Sequence, residues 1–409
     1  MTEPQCQSEK MKSMTCVRQM MLPLAAVTIG FISSLIVAEI VLRFLPYNEG
    51  LIVPAINDSQ PLYHFVPNRE FRYSQDWDMK NGRIRRTNNE GFLSDINYVS
   101  PPTKPVLAVI GDSFVEAVQV DWKESVHGRL HEKLTPNIDV YAFGAAYASF
   151  AQYLAWARYA HHAFTPDMLV VNVVANDYDL PRVGMGGDEF SAGFRGMAYF
   201  AEDATGSLIL KRSDRPTDPW WRGLLRRSAL VAYLYRNLQV TALPEKLGML
   251  WSVLTEPDGP SHYVANTDAR VERERVARAQ RHVDRFLDLL PHESGLPPER
   301  ILIVLDGLRT ELYDAAKLAT IQDSFPAVMH RYMAAAGIAR GFEVRDLTPL
   351  FIERHEKTDE RFEFPFNGHW NANGHDVMAT AVLSSRTLAR TFPEVKSALV
   401  RRQTGAPSP

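Results

Sequence analysis

The chain has 409 residues, enough for one large domain or two of average size. Hydrophobic residues make up 45% and charged residues 23%, a globular balance that excludes an intrinsically disordered chain. The net charge of −3 excludes the clearly basic surface of a nucleic-acid-binding protein, so no nucleic-acid partner is expected.

The two cysteines, Cys6 and Cys16, lie near the N-terminus, so the rest of the chain has neither a disulfide nor a thiolate metal site. Residues 19–38 carry no charge and are mostly apolar, about the 20 residues that a membrane-spanning helix needs. Lys10, Lys12 and Arg18 precede this run, which predicts a cytoplasmic N-terminus and an exported C-terminal part. Glu39 and Arg43 follow at i, i+4 spacing and can pair at the bilayer edge. The expected layout is a cytoplasmic tail over 1–18 and a single transmembrane anchor over 19–45 in the inner (cytoplasmic) membrane, with the remainder periplasmic. A cleaved signal peptide is the rival reading. Against it, the apolar run exceeds the roughly 7–15 residues of a signal h-region and no small-x-small site follows.

Residues 46–103 read as an N-terminal extension containing Thr87-Asn88-Asn89-Glu90-Gly91-Phe92. A repeating pattern begins at residue 104. Residues 106–110 predict a buried strand, and 124–134 a helix with Val126, Leu130 and Leu134 on one face. A second strand over 138–143, a second helix over 150–163 and a third strand over 168–175 follow. This alternation of apolar strands and helices predicts a parallel sheet covered on both faces, an α/β domain over 104–395. Over 181–268 the pattern breaks into Gly, Pro, Trp and Arg, read as an inserted cap or lid with some helix. Its Trp220-Trp221 pair fits lid packing first, and a sugar platform or membrane-interface contact second. An amphipathic helix over 271–290, with its arginines and glutamates on a solvated face, resumes the pattern. Strands over 301–306 and 342–346, a helix over 320–336 between them and a last helix over 373–391 complete it. Residues 396–409 read as a disordered tail.

Four strand-end features carry the chemistry. Gly111-Asp112-Ser113 closes the first strand and puts the Ser113 hydroxyl at the amino end of a helix. There, backbone N–H groups and the helix dipole favour a nucleophile and a developing oxyanion. Alone, the triplet reads as a turn. Gly144 ends the second strand, where the lack of a side chain lets its N–H face a crevice. Asn176 follows the third strand and can donate its amide to an oxyanion. His369 lies in Asn367-Gly368-His369-Trp370, directly before the last helix. In a parallel sheet these positions converge on one edge, where ligands bind.

On these residues the chain resembles the SGNH, or GDSL-like, hydrolase family over roughly 104–177 and 271–391. The resemblance implies a flavodoxin-like three-layer α/β/α domain with a central parallel sheet. It implies Ser113 as nucleophile, His369 as general base and an oxyanion hole of Ser113, Gly144 and Asn176, with no metal and no cofactor. Glu39/Arg43 and residues 88–92 are similar to features of the membrane-anchored members. One position departs. The family places an aspartate two or three residues before the histidine, where this chain has Asn367 and Phe366. Three readings follow: a Ser–His dyad oriented by Asn367 or a backbone carbonyl, a carboxylate supplied from elsewhere in the fold, or a weakened site.

The expected function is a serine esterase or acyltransferase of O-acyl esters on envelope or exported polysaccharide, working through an acyl-serine. Its substrate would be an ester-bearing carbohydrate or lipid. A transferase would also need a multi-span membrane partner to carry the acyl donor across. The alternative is a catalytically weakened domain that binds or assembles polysaccharide. His127 and His131, at i, i+4 spacing, read as a solvated helix face rather than a metal pair.

Overall fold

Runs such as Val106-Leu107-Ala108-Val109-Ile110 have no polar face to offer water, so they form strands covered on both sides. The computed structural model describes residues 3–179, 195–242, 263–265, 267–309, 311–365, 367–395 and 397. The strands among them are β1 (Glu70–Gln75), β2 (Lys80–Arg86), β3 (Val106–Gly111), β4 (Asp139–Gly144) and β5 (Met168–Val173). Then come β6 (Ala198–Glu202), β7 (Leu208–Arg212), β8 (Tyr263–Val264), β9 (Thr267–Asp268), β10 (Ile301–Leu305) and β11 (Glu343–Asp346). The chain divides into a larger unit of Leu51–Phe71, Ile84–Asp218 and Leu250–Pro409 and a smaller one of Met1–Gly50, Arg72–Arg83 and Pro219–Met249.

In the larger unit five strands pair in parallel in the order β11-β10-β5-β3-β4. That is the flavodoxin-like order, in which the winding direction reverses between β3 and β5. Successive side chains point to opposite faces, so each strand feeds two cores. On one face Val109, Val140 and Val170 pack with Leu130 of the helix Val126–Leu134 and Met378 of the helix Ala372–Leu383. On the other, the Tyr141 and Phe143 rings meet Phe164 of the helix Phe150–Phe164 at 5.1 and 6.1 Å. Phe150 stacks at 4.9 Å on Phe286 of the helix Arg273–Ser294, completing the third layer. The three-layer α/β/α domain with a central parallel sheet is therefore present.

Element ends shift for local reasons. The helix expected over 124–134 starts at Val126, because the Ser125 hydroxyl accepts the Gly128 N–H as an N-cap. The last helix is two, Ala372–Leu383 and Arg386–Thr391, because the Ser385 hydroxyl caps the Leu388 N–H and starts a new one. His127 is buried and its Nε2 lies 3.1 Å from the Leu93 carbonyl, so the solvated-face reading is corrected. The extension seals the open edge of the sheet. The Tyr98 hydroxyl donates to the Ala142 carbonyl at 2.9 Å and accepts from the Ala142 N–H at 2.8 Å, occupying the unpaired groups of edge strand β4. Gly91 sits at φ +78°, and a Cβ there would strike the Phe65 carbonyl.

The smaller unit is built on one helix, Glu3–Leu42, which begins well before the apolar run. Its segment Pro23–Leu42, 20 residues of mean hydropathy 2.2 and unburied, is long and apolar enough to cross a membrane. Arg43 Nε donates to Glu39 at 2.9 Å, as the spacing predicts. Glu39 also accepts from Ser228 Oγ and from the Ala229 and Leu230 N–H groups, capping a second helix. Residues 219–242, expected in the lid, thus belong with this helix. The β6–β7 hairpin stays on the larger unit, where the Ala198 N–H donates to Gln152 and Arg285 donates to the Leu208 carbonyl. Residues 181–194, 243–262 and 266 of the expected lid and most of the expected tail lie outside the described residues.

Candidate active site

Ser113 follows β3 at the switch point. Asp112 is buried, and its carboxylate accepts the Phe114 N–H at 3.0 Å. The helix it caps, Ser113–Glu116, is a single turn, which corrects the expectation of a helix dipole behind Ser113. What remains there is local hydrogen bonding. Ser113 Oγ lies 2.9 Å from His369 Nε2 and 3.3 Å from Asp112 Oδ2. The residues are 256 positions apart, and the sheet brings them together.

His369 is held from several sides. Its ring stacks on Phe114 at 5.0 Å, and the Arg309 guanidinium also lies over that phenyl ring at 4.8 Å. Arg309 pairs with Asp306 at 2.7 Å, each side chain only 3% exposed. The pair grips the residues on both sides of the histidine. Arg309 donates to the Gly368 carbonyl, and Trp370 Nε1 donates to Asp306 at 2.9 Å. Asn367 Oδ1 accepts the His369 backbone N–H at 3.0 Å, so the side chain fixes the loop rather than the ring. His369 Nδ1 has no hydrogen-bond partner among the described residues. Two nearby carboxylates are engaged elsewhere. Asp376 pairs with Arg129 and Arg354, and Glu363 accepts from Tyr313. The arrangement is a Ser–His pair without a carboxylate on the ring among the described residues.

Ser113, Asn176, Asp306 and His369 line one cavity of about 240 Å³, with Phe114, Ala146, Tyr147, Val174 and Ala265. Asn176 is set by its neighbours. Asp177 accepts from the Tyr153 hydroxyl at 2.9 Å and the Val174 N–H at 2.9 Å. Asp179 pairs with Arg275 at 2.9 Å. Arg275 is buried over the Phe325 ring, an exception to the solvated face expected of its helix. Gly144 pairs in register with Gly111, and a Cβ there would lie 2.5 Å from the Glu116 nitrogen. Glycine is thus needed for close backbone approach, although Gly144 itself is not among the residues that line the cavity. Tyr147 stands at the rim with φ +67°, a conformation that costs a non-glycine residue of order 1 kcal/mol. The Ala146 N–H, donating to the buried Glu116 carboxylate at 2.7 Å, holds that loop.

Burial, with the Arg309 charge, pushes the His369 pKa down to about 4, against the pull of the Asn367 backbone and the Asp306 carboxylate. The imidazole is therefore neutral at neutral pH, the form that can accept a proton. Burial pushes Asp112 up to about 7, with the nearby Asp306 carboxylate adding to it. It also raises Asp177 well above the usual range.

Sequence reading finds the strand-end residues but misses Asp306, Arg309, Phe114 and the Arg275–Asp179 pair. Asp306 had a signal, since it follows β10 on the same sheet edge as Ser113 and Asn176. Arg275 had none, because its partner is 96 residues away.

No family model and no curated protein matches the chain. Several solved structures align with it. One is TesA, at 12% identity and a TM-score of 0.35 over 70% of this chain and 99% of that one. A second is a member of the lipolytic protein G-D-S-L family from Veillonella parvula, at 10% identity and a TM-score of 0.34 over 71% and 98%. A third is the acetyl xylan esterase AlAXEase, at 11% identity and a TM-score of 0.34 over 68% and 98%. Each is a likeness of this chain, while the fold rests on the sheet order and the site on the Ser113–His369 distance.

Proposed function

We propose that the larger unit is a serine ester hydrolase working through an acyl-serine on Ser113. The observation that carries this reading is the 2.9 Å contact between Ser113 Oγ and His369 Nε2 in a cavity shared with Asn176. His369 Nε2 takes the Ser113 proton as Oγ bonds to the ester carbonyl carbon, and the carbonyl electron pair moves to oxygen. The Ser113 N–H and the Asn176 amide donate to that oxyanion, while Gly144, outside the cavity lining, allows the close backbone approach beside it. Collapse breaks the bond to the alcohol, which leaves with the proton from His369. Water then repeats the sequence and frees the acid. A cavity of about 240 Å³ fits a small acyl group.

With Pro23–Leu42 as an uncleaved anchor in the inner membrane and an exported catalytic unit, the substrates are O-acyl esters of envelope or exported polysaccharide. Transfer to a sugar hydroxyl instead of water would require a multi-span membrane protein to supply the acyl group. The lack of a carboxylate on the His369 ring among the described residues favours one second reading, a weakened domain that binds polysaccharide.

Hydrolysis of p-nitrophenyl acetate by the detergent-solubilised full chain tests the proposal. Ser113→Ala should reduce turnover to the background rate with unchanged folding by circular dichroism. Equal rates for the parent and Ser113→Ala would overturn it, and no turnover by either protein would favour the binding reading.

A further inference from the structure

The exposed aromatic side chains are not spread evenly over the molecule. Outside the apolar span, the exposed aromatics among the described residues are Phe44, Trp77, Tyr147, Trp220, Trp221 and Tyr235. All but Tyr147, which lines the catalytic cavity, belong to the smaller unit. Trp220 is 79% exposed and Trp77 69%, values that leave large apolar rings in water unless something covers them. The helix Trp220–Arg226 buries none of its residues. Around it, residues 219–242 contain four arginines and no aspartate or glutamate.

These segments are fastened to the end of the apolar helix. Glu39 holds Ser228, Ala229 and Leu230, immediately after Trp220–Arg226. The Tyr233 hydroxyl donates to the Trp77 carbonyl at 2.6 Å, and Asn237 donates to Ser74 and to the Asp76 carbonyl at 3.0 Å. At about 1.5 Å per residue, Pro23–Leu42 spans about the 30 Å of a hydrocarbon core, which puts Glu39 and Phe44 at headgroup depth. Tryptophan and tyrosine are favoured at that depth, and arginine is drawn to anionic lipid.

We propose that the smaller unit is a membrane-interface platform. Trp77, Trp220, Trp221 and Tyr235 enter the headgroup layer of the bilayer that Pro23–Leu42 crosses, and the net positive charge of residues 219–242 draws that face toward anionic lipid. This inference rests on the anchor reading above.

The test uses the full chain in phosphatidylglycerol-containing proteoliposomes, with Cys6→Ser and Cys16→Ser and one environment-sensitive fluorophore on a new cysteine. Gly223→Cys places the label on the exposed helix, where a Cβ meets nothing within 4 Å. Ile32→Cys reports on the span, and Lys357→Cys serves as an exposed control on the larger unit. Lipids carrying a quencher near the headgroup should quench position 223 several-fold more than 357. Adding Trp220→Ser and Trp221→Ser should remove most of that difference. If position 32 is not quenched by chain-labelled lipid, the anchor reading fails and this inference falls with it. If 32 is quenched but 223 behaves like 357, the platform alone is overturned and the aromatic face covers a protein instead. Equal quenching at 223 in purely zwitterionic vesicles would overturn the role of the arginines.

Discussion

At the residue scale the unusual member is His369, the proposed general base, with no carboxylate on its ring among the described residues. Its pKa, pushed down to about 4 by burial and by Arg309, means that it is neutral, and able to accept a proton, above that pH. The acid limb of kcat/KM should therefore fall near pH 4 rather than near the ordinary 6.5, as a pH profile with an uncharged ester would show. Asn367→Asp keeps an acceptor for the His369 N–H and adds a negative charge beside the loop. That charge should raise the histidine pKa and move the acid limb upward, and an unmoved limb would count against this electrostatic account. Asn176→Ala removes one donor to the oxyanion and should lower kcat about 10²- to 10³-fold with KM nearly unchanged. The turn residues Gly111, Asp112 and Ser113 are legible as a candidate site only together with Gly144, Asn176 and His369. Each sits where an apolar run stops, which is a local signal.

At the element scale, loops after β3, β5 and β10 and the loop before the helix Ala372–Leu383 supply the site, each tied down by buried polar pairs. Where such ties join residues distant in sequence, as Arg309 and the Gly368 carbonyl 59 positions apart do, periodicity and spacing carry no trace of them. Arg309 is the clearest case. Its planar fork serves Asp306 and the Gly368 carbonyl at once, which an ammonium group cannot reproduce. Arg309→Lys should lower kcat by about 10²-fold through misplacement of His369, with KM and thermal stability little changed. A rise in KM at constant kcat would assign Arg309 to substrate binding instead. Where the resembled pattern has an aspartate the sequence has Asn367, and the structure holds that loop through Asn367, Arg309 and Trp370. The lid expected over 181–268 was misread for a related reason. Part of it folds with the end of a helix almost 200 residues earlier, and no local pattern announces that partnership.

At the scale of the whole molecule, the fold class is legible because apolar strands in alternation with helices allow little besides a covered parallel sheet. The smaller unit is not, since three separated segments build it. The larger unit also buries ionisable groups of both kinds, with opposite consequences for stability. His127 is pushed down to about 3 by burial, so its contribution is present above the ordinary 6.5 and lost as pH falls toward 3. Glu116 is pushed up to about 7 by burial, so its contribution is present below 4.5 and lost as pH rises through 7. Glu116→Gln keeps an acceptor for the Ala146 N–H without the charge. It should therefore gain thermal stability relative to the parent between pH 5 and pH 8, a trend that melting curves at both values would reveal. The account stands or falls, however, on Ser113 as an activated nucleophile. Treating the full chain with a fluorophosphonate and locating the adduct by peptide mass spectrometry tests this most directly. The adduct should form on Ser113 and be slowed strongly by His369→Ala. An intact protein without adduct, or one modified at another residue at the same rate in both proteins, would contradict it.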